Sequence, residues 1–203
     1  RFCIGSLSDP SPTNSWGVFS VRQVSVRQVG IERRTSLGGE RRPQSQVLEE
    51  MTGGARQMAE AAQRGAAAER EVRVRLLHAA QAKAEDVLQA DGYVFVTPEN
   101  LAAMSGIMKD FFDRTYYAAL ERIAGRPYAT LVCAGSDGAN AVRQIERICT
   151  GWRLKAVCEP LIVCTHAQTL EAILAPKTVD ADDLRRCEET GAAIAAGLAL
   201  GVF

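Results

Sequence analysis

Tyr93-Val-Phe-Val-Thr-Pro98-Glu-Asn-Leu-Ala-Ala-Met-Ser-Gly106-Ile-Met-Lys-Asp-Phe-Phe-Asp113 is the stretch on which the reading of this chain turns. It opens with a continuous apolar run, as expected for a strand covered on both faces. Pro98 is expected to stop that strand, because it has no N–H to give to a ladder. Ser105 is placed to cap a helix that begins at Ile107, and Gly106 lets another group approach the backbone closely. Glu99, Asn100 and the intervening amides can meet the polar edge of a flat heterocycle, with Leu101 and Met104 over its face. A capped surface loop with Met104 in the core is the alternative that the residues leave open.

Further apolar, β-rich runs lie on either side of this stretch, at Val72–Leu77, Tyr128–Ala134 and Leu161–Thr165. Helical stretches separate them: Arg56–Ala68, Ala84–Ala90, Ile107–Ile123, Ala139–Trp152 and Ala181–Leu200. Strands alternating with helices of this length imply βαβ units, a parallel sheet and right-handed crossovers, hence an α/β domain with a three-layer, doubly wound parallel sheet. In such sheets ligands sit where strands end and helices begin. Two more loops of that kind stand out. Met51-Thr-Gly-Gly-Ala-Arg-Gln57 opens the first helix, and its glycines, first-turn amides and Thr52 hydroxyl suit an anion. It is neither a P-loop nor a dinucleotide fingerprint, and an ordinary Gly-Gly turn is its plain reading. Cys133-Ala-Gly-Ser-Asp-Gly-Ala139 reads as a tight turn before another helix.

The chain has 203 residues, enough for one domain and a remainder, with 24 Lys+Arg balanced by 24 Asp+Glu. Zero net charge argues against a generally basic nucleic-acid binder and against a very acidic carrier. No apolar run approaches the roughly 20 residues of a membrane span. Charge is uneven, however. Residues 1–43 carry seven arginines against three acids, are rich in Ser, Gly and Pro, and repeat Val-Arg-Gln-Val at positions 21 and 26. They are read as a disordered or non-native leader, with an organelle transit peptide as a further alternative, and 44–203 as the folded domain. The six cysteines include no C-x-x-C pair and no histidine at zinc spacing, which fits buried thiols in a reducing cytoplasm.

Together the three loops resemble those of the flavodoxin-like superfamily, in its branch of NAD(P)H-dependent FMN reductases and quinone reductases, over roughly residues 50–200. Thr-Gly-Gly-Ala-Arg-Gln-Met-Ala is similar to the phosphate loop, the stretch from Thr97 to Asp113 to the isoalloxazine loop and its helix, and Ala134-Gly-Ser-Asp-Gly138 to the third flavin loop. The resemblance implies strand order 2-1-3-4-5 and non-covalent FMN. Thr52, Gly53, Gly54, Ala55 and Arg56 would cradle the phosphate. Pro98, Glu99, Asn100, Leu101, Ala102, Ala103 and Met104 would line the ring, and Gly135, Ser136, Asp137 and Gly138 would close its other side. It further implies NAD(P)H as electron donor, a quinone or similar small molecule as acceptor, and a cytoplasmic homo-oligomer that binds neither nucleic acid nor membrane. The alternatives are a flavodoxin-type electron carrier with no substrate of its own, or a flavin-free remnant.

One departure from the family stands out. Where a buried hydrophobic strand should precede the phosphate loop, the chain reads Arg42-Pro-Gln-Ser-Gln-Val-Leu-Glu-Glu50, with only Val47 and Leu48 apolar. Glu50 occupies a position where the family often has Ser and would repel a phosphate. Among other candidates, His78 and His166 read as ordinary loop or strand-end residues. Asp180, Asp182 and Asp183 read as the charged start of a helix rather than a metal cluster, and Tyr116 and Tyr117 as packing residues. No catalytic side chain and no metal site are assigned.

Overall fold

The computed structural model describes residues 17–23, 47–48 and 52–203. Its elements are β1 (Gly17–Gln23), β2 (Val47–Leu48), α1 (Gly54–Ala67), β3 (Val72–His78), α2 (Ala84–Gln89), β4 (Gly92–Asn100), β5 (Ala103–Met104), α3 (Gly106–Ala119), β6 (Pro127–Ala134), α4 (Ala139–Gly151), β7 (Lys155–Ala156), β8 (Leu161–Cys164), α5 (Leu170–Leu174) and α6 (Ala181–Leu200).

The apolar runs became the centre of the sheet. All eight residues of β6 are buried, as are the first six of β4, because helices cover both faces. β4 and β6 pair in parallel from Tyr93↔Tyr128 to Pro98↔Cys133. β2 lies between β3 and β4, parallel to both, with Val47 opposite Leu77 and Phe95. The far edge of β6 takes β7 and then β8, which act as one interrupted fifth strand. The long strands and β2 therefore run β3-β2-β4-β6-β7/β8, which is the expected 2-1-3-4-5 order.

The first strand is atypical, as its polar sequence foretold; among the described residues, Val47 and Leu48 pair there. Seven residues of the stretch expected to be leader, Gly17–Gln23, form a strand antiparallel to β3, and Phe19–Val21 also face Val94–Gly92 of β4. β1 thereby satisfies backbone donors and acceptors of β3 and β4, and Val18, Phe19 and Val21 are good strand formers. The rest of residues 1–43 lies outside the described residues.

Two helical layers sandwich the sheet. On one face, α1 and α6 bury Met58, Ala62, Cys187, Ile194 and Leu198 against Val94, Val96 and Leu131. They approach through glycines: a Cβ on Gly65 would stand 1.9 Å from the Glu188 carbonyl oxygen, and one on Gly191 would stand 1.9 Å from that of Ala62. On the other face, α2, α3 and α4 enclose an aromatic cluster in which Phe95 lies 5.2 Å from Phe112, and Phe112 5.4 Å from Trp152. Tyr116 stacks on Trp152 at 5.7 Å, whereas Tyr117 is exposed. The Arg126 guanidinium donates to the Val87, Leu88 and Ala90 carbonyls and to the Tyr93 hydroxyl, closing the end of α2.

Two local expectations are corrected. Pro98 does not stop β4, which continues to Asn100 because it turns back into β5 as a hairpin. The third helix ends at Ala119 rather than Ile123, where Leu120 becomes extended and Glu121 takes φ 64°.

Candidate functional site

β2, β4 and β6 are parallel neighbours, so the loops that follow them emerge at one edge of the sheet. The chain winds from β2 outward to β3, then crosses back to β4 on the other side. That reversal of winding creates a crevice at the carboxyl ends of the strands. All three stretches singled out from sequence therefore emerge at this edge.

The middle loop is a β-hairpin. Glu99 pairs with Met104 and Asn100 with Ala103 across a two-residue turn. Leu101 and Ala102 both have positive φ, at 51° and 60°, the conformation that lets a tight turn follow the strand twist. Leu101 is fully exposed at the tip, while Met104 is buried in the aromatic cluster. Of the two apolar residues expected over a ring face, Met104 thus packs into the core. The base of the hairpin is held by Thr97, whose Oγ1 accepts from the Ser105 amide at 3.2 Å and donates to Ser105 Oγ at 3.2 Å. Ser105 Oγ in turn accepts from the Met108 amide at 3.2 Å, capping α3 as expected.

Two side chains of α4 hook the hairpin from outside. Gln144 Oε1 accepts from the Met104 amide at 2.9 Å, and Asn140 Nδ2 donates to the Ala102 carbonyl at 2.6 Å. Glu99 Oε1 is buried with no hydrogen-bond partner, an acceptor left waiting for a donor. A Cβ added to Gly106 would meet nothing within 4 Å, so space remains beside the start of α3.

The first loop enters α1 through Gly53, at φ 93°, with Gly54 and Ala55 buried behind it. The first turn of α1 supplies the amide array and positive dipole end that suit an anion. This loop is fastened to the chain beyond β8. The Lys177 amide donates to the Thr52 carbonyl at 2.7 Å. Gln57 Nε2 donates to the carbonyls of Gly53 and Lys177, both at 2.8 Å, and Gln57 Oε1 accepts from the Val179 amide at 3.2 Å. Arg56 pairs loosely with Glu60 at 3.8 Å. Glu50 lies outside the described residues.

The third loop places Gly135 partly buried and Ser136 and Asp137 exposed. Gly138 begins α4 at φ 82°, where a Cβ would stand 2.7 Å from Ile162 Cγ2. Both the backbone conformation and the packing therefore demand glycine there.

Sequence reasoning missed Gln57, Asn140 and Gln144. Their only signal was a polar side chain at the mouth of a helix next to a glycine turn, or at i,i+4 spacing from one. The charged cluster at 180–183 opens α6: Asp180 caps it by accepting from the Asp183 amide at 2.9 Å, and Asp182 and Asp183 pair with Arg185 and Arg186. Cys133, Cys149, Cys158, Cys164 and Cys187 are free thiols. Burial raises Cys149, and pushes Cys187 up to about 12, so both are poor nucleophiles at neutral pH. Among the described residues, no helix is long and apolar enough to cross a membrane.

The family model described as NADPH-dependent FMN reductase matches residues 68–168, a range that holds the hairpin and the third loop. A protein named flavodoxin from Aquifex aeolicus is 40% identical over 67 residues, which are 33% of this chain and 36% of that protein. The chain therefore spans about a third of that curated relative. A flavodoxin from the domain Archaea superposes with TM-score 0.60 at 17% identity, covering 75% of this chain and 95% of the other. The flavodiiron protein from Giardia intestinalis gives TM-score 0.61 at 16% identity over 77% of this chain and 36% of that one. With the sheet order and the crevice in agreement, the chain has the flavodoxin-like fold, and its residues 68–168 match the family described as NADPH-dependent FMN reductase.

Proposed function

We propose that the chain is a flavodoxin-type electron-transfer protein that binds FMN at the carboxyl edge of its sheet. The observation that carries this reading is the hairpin from Pro98 to Met104, fixed from two sides, with an unpartnered buried Glu99 oxygen at its base. FMN carries ring N–H groups and a phosphate, and the residues present suit both. Thr52, Gly53, Gly54, Ala55 and Arg56 would hold the phosphate at the start of α1. Pro98 to Met104 would line the ring on one side, and Gly135, Ser136, Asp137 and Gly138 on the other. Bound FMN supplies the one- and two-electron chemistry, while the protein supplies orientation and electrostatics.

A second reading makes the chain an oxidoreductase that takes hydride from NAD(P)H and passes electrons to a quinone or similar acceptor. The match to a family described as NADPH-dependent FMN reductase favours it. In either reading the reducing cytoplasm is the compartment, residues 44–203 together with the strand Gly17–Gln23 make up the flavin domain, and the assembly is a homo-oligomer. Titration of the purified chain with FMN, followed by quenching of flavin fluorescence, tests the shared part, and no quenching leaves the flavin-free remnant standing. Anaerobic mixing of the flavin-loaded protein with NADPH and NADH separates the two readings. Rapid bleaching of the flavin band supports the reductase, and an unchanged band the carrier.

A further inference from the structure

Between the first turn of α3 and the outer face of α4 lies an open, mostly apolar groove of about 550 Å³, within the size range of small-molecule sites. Met104 and Ile148 contribute to its apolar surface, and Lys109, Arg143 and Arg147 bring three cations to it. Lys109 is already neutralised, with both Asp113 oxygens within 2.8 Å of its Nζ. Arg143 and Arg147 are exposed, one helical turn apart, and have no carboxylate partner among the described residues. Other helical arginines differ in this respect: Arg56, Arg114, Arg185 and Arg186 each pair with an acid three or four residues away. Two like charges at i,i+4 destabilise a helix, so this pair stands as uncompensated positive charge on the rim of an apolar cleft.

We propose that this groove binds an amphipathic organic anion, with its apolar body against Met104 and Ile148 and its carboxylate, sulfonate or phosphate on Arg143 and Arg147. A second copy of the chain is the poorer occupant. A two-fold contact at this face would bring the same uncompensated arginines toward each other, and the acid beside the groove, Asp113, is committed to Lys109. The groove lies on the α4 side of the hairpin and shares Ala103 and Met104 with the stretch proposed to line the FMN ring. Asn140 and Gln144, which also line it, fasten that hairpin through the Ala102 carbonyl and the Met104 amide.

The probe is 8-anilinonaphthalene-1-sulfonate, added to the full chain with and without saturating FMN and followed by its fluorescence. Saturable binding is expected in both states, weakening several-fold from low to high salt because the arginines are exposed and screened. The double variant R143A/R147A should lose about tenfold in affinity together with the salt dependence. R143K/R147K should retain both, and R122A, at an exposed arginine elsewhere, should match the parent chain. The neutral congener N-phenyl-1-naphthylamine should bind the parent and R143A/R147A equally. Three results would overturn the proposal: affinity of R143A/R147A for the sulfonate within about twofold of the parent's, displacement of the probe by FMN, or a self-associated species in sedimentation that excludes the probe.

Discussion

Replacing Gly191 by alanine tests one of the two glycine contacts through which α6 meets α1. The new Cβ would stand 1.9 Å from the Ala62 carbonyl oxygen, 2.7 Å from its carbon and 3.0 Å from its Cα. Those neighbours are backbone, with no flexible side chain to give way, so the helices must separate by about 1 Å. A gap of that size forfeits roughly a quarter to a half of the dispersion attraction across it. The atoms affected include Met58, Ala59, Ala62, Ala66, Ile194 and Ala195, all fully buried in that layer. Such overpacking falls at the upper end of roughly 1–3 kcal/mol, and the better helix propensity of alanine offsets about 1 kcal/mol. A net loss of about 2 kcal/mol is expected. The same change at a solvated helical position would gain about 1 kcal/mol, so the sign itself is diagnostic. Urea unfolding followed by circular dichroism should show a lower midpoint with an unchanged slope. Gly106→Ala, where a Cβ meets nothing within 4 Å, should not lower it. If Gly191→Ala proves as stable as the parent, or more so, the two helices do not pack through their glycines.

Ser105→Ala should cost about 1–2 kcal/mol, because it leaves the buried Met108 amide without its cap; a loss below a few tenths would show that the cap is dispensable. Gln144→Ala should speed hydrogen exchange at the Met104 amide by about tenfold or more, and unchanged protection would mean that this hook does not hold the hairpin. Burial pushes the Tyr93 hydroxyl from 10.0 up to about 12, against the pull of Arg126. A raised native value gives stability that is complete below pH 10 and lost as pH climbs toward 12. Tyr93→Phe should therefore flatten the fall of stability across that window by about one proton's worth, and parallel pH profiles for the two proteins would refute this. In the flavin reading, Glu50→Ser should tighten FMN at low salt and not at high salt, since it removes a like charge near the phosphate. Equal affinity at low salt would mean that Thr52 to Arg56 do not hold that phosphate.

Much of the fold could be read in the sequence because continuous apolar runs such as Pro127–Ala134 have few alternatives to a doubly covered strand. The start of α6 at Ala181 followed from Asp180 and the charges behind it, which act within a single turn. What escaped the reading depends on partners far away in sequence. Pro98 breaks a strand when only the parallel ladder is considered, but β4 acquires a second partner, β5, through a turn that uses Leu101 and Ala102 where Asn or Gly would be expected. β1 pairs with β3 and β4, strands that begin some fifty and seventy residues further along the chain, and no feature of residues 17–23 alone announces those partners. The three loops of the candidate site were found by their glycines. The side chains that fix them, Gln57, Asn140 and Gln144, act across gaps that local pattern does not span.

The fastening of the first loop has a consequence for the order in which this protein can be made. Gln57 and Lys177, the two ends of that fastening, are 120 residues apart, and both lie outside the 68–168 stretch matched by the family model. At about 5–20 residues per second of synthesis, Gln57 emerges roughly ten seconds before the carbonyl it binds. During that interval the turn at Thr52 and Gly53 has no Lys177 amide to hold it, and α1 has no α6 to cover its glycine face. The start of α1 thus takes its final form only once synthesis has passed Val179, and a nascent chain that stalls before that residue would carry the sheet core without a finished first loop.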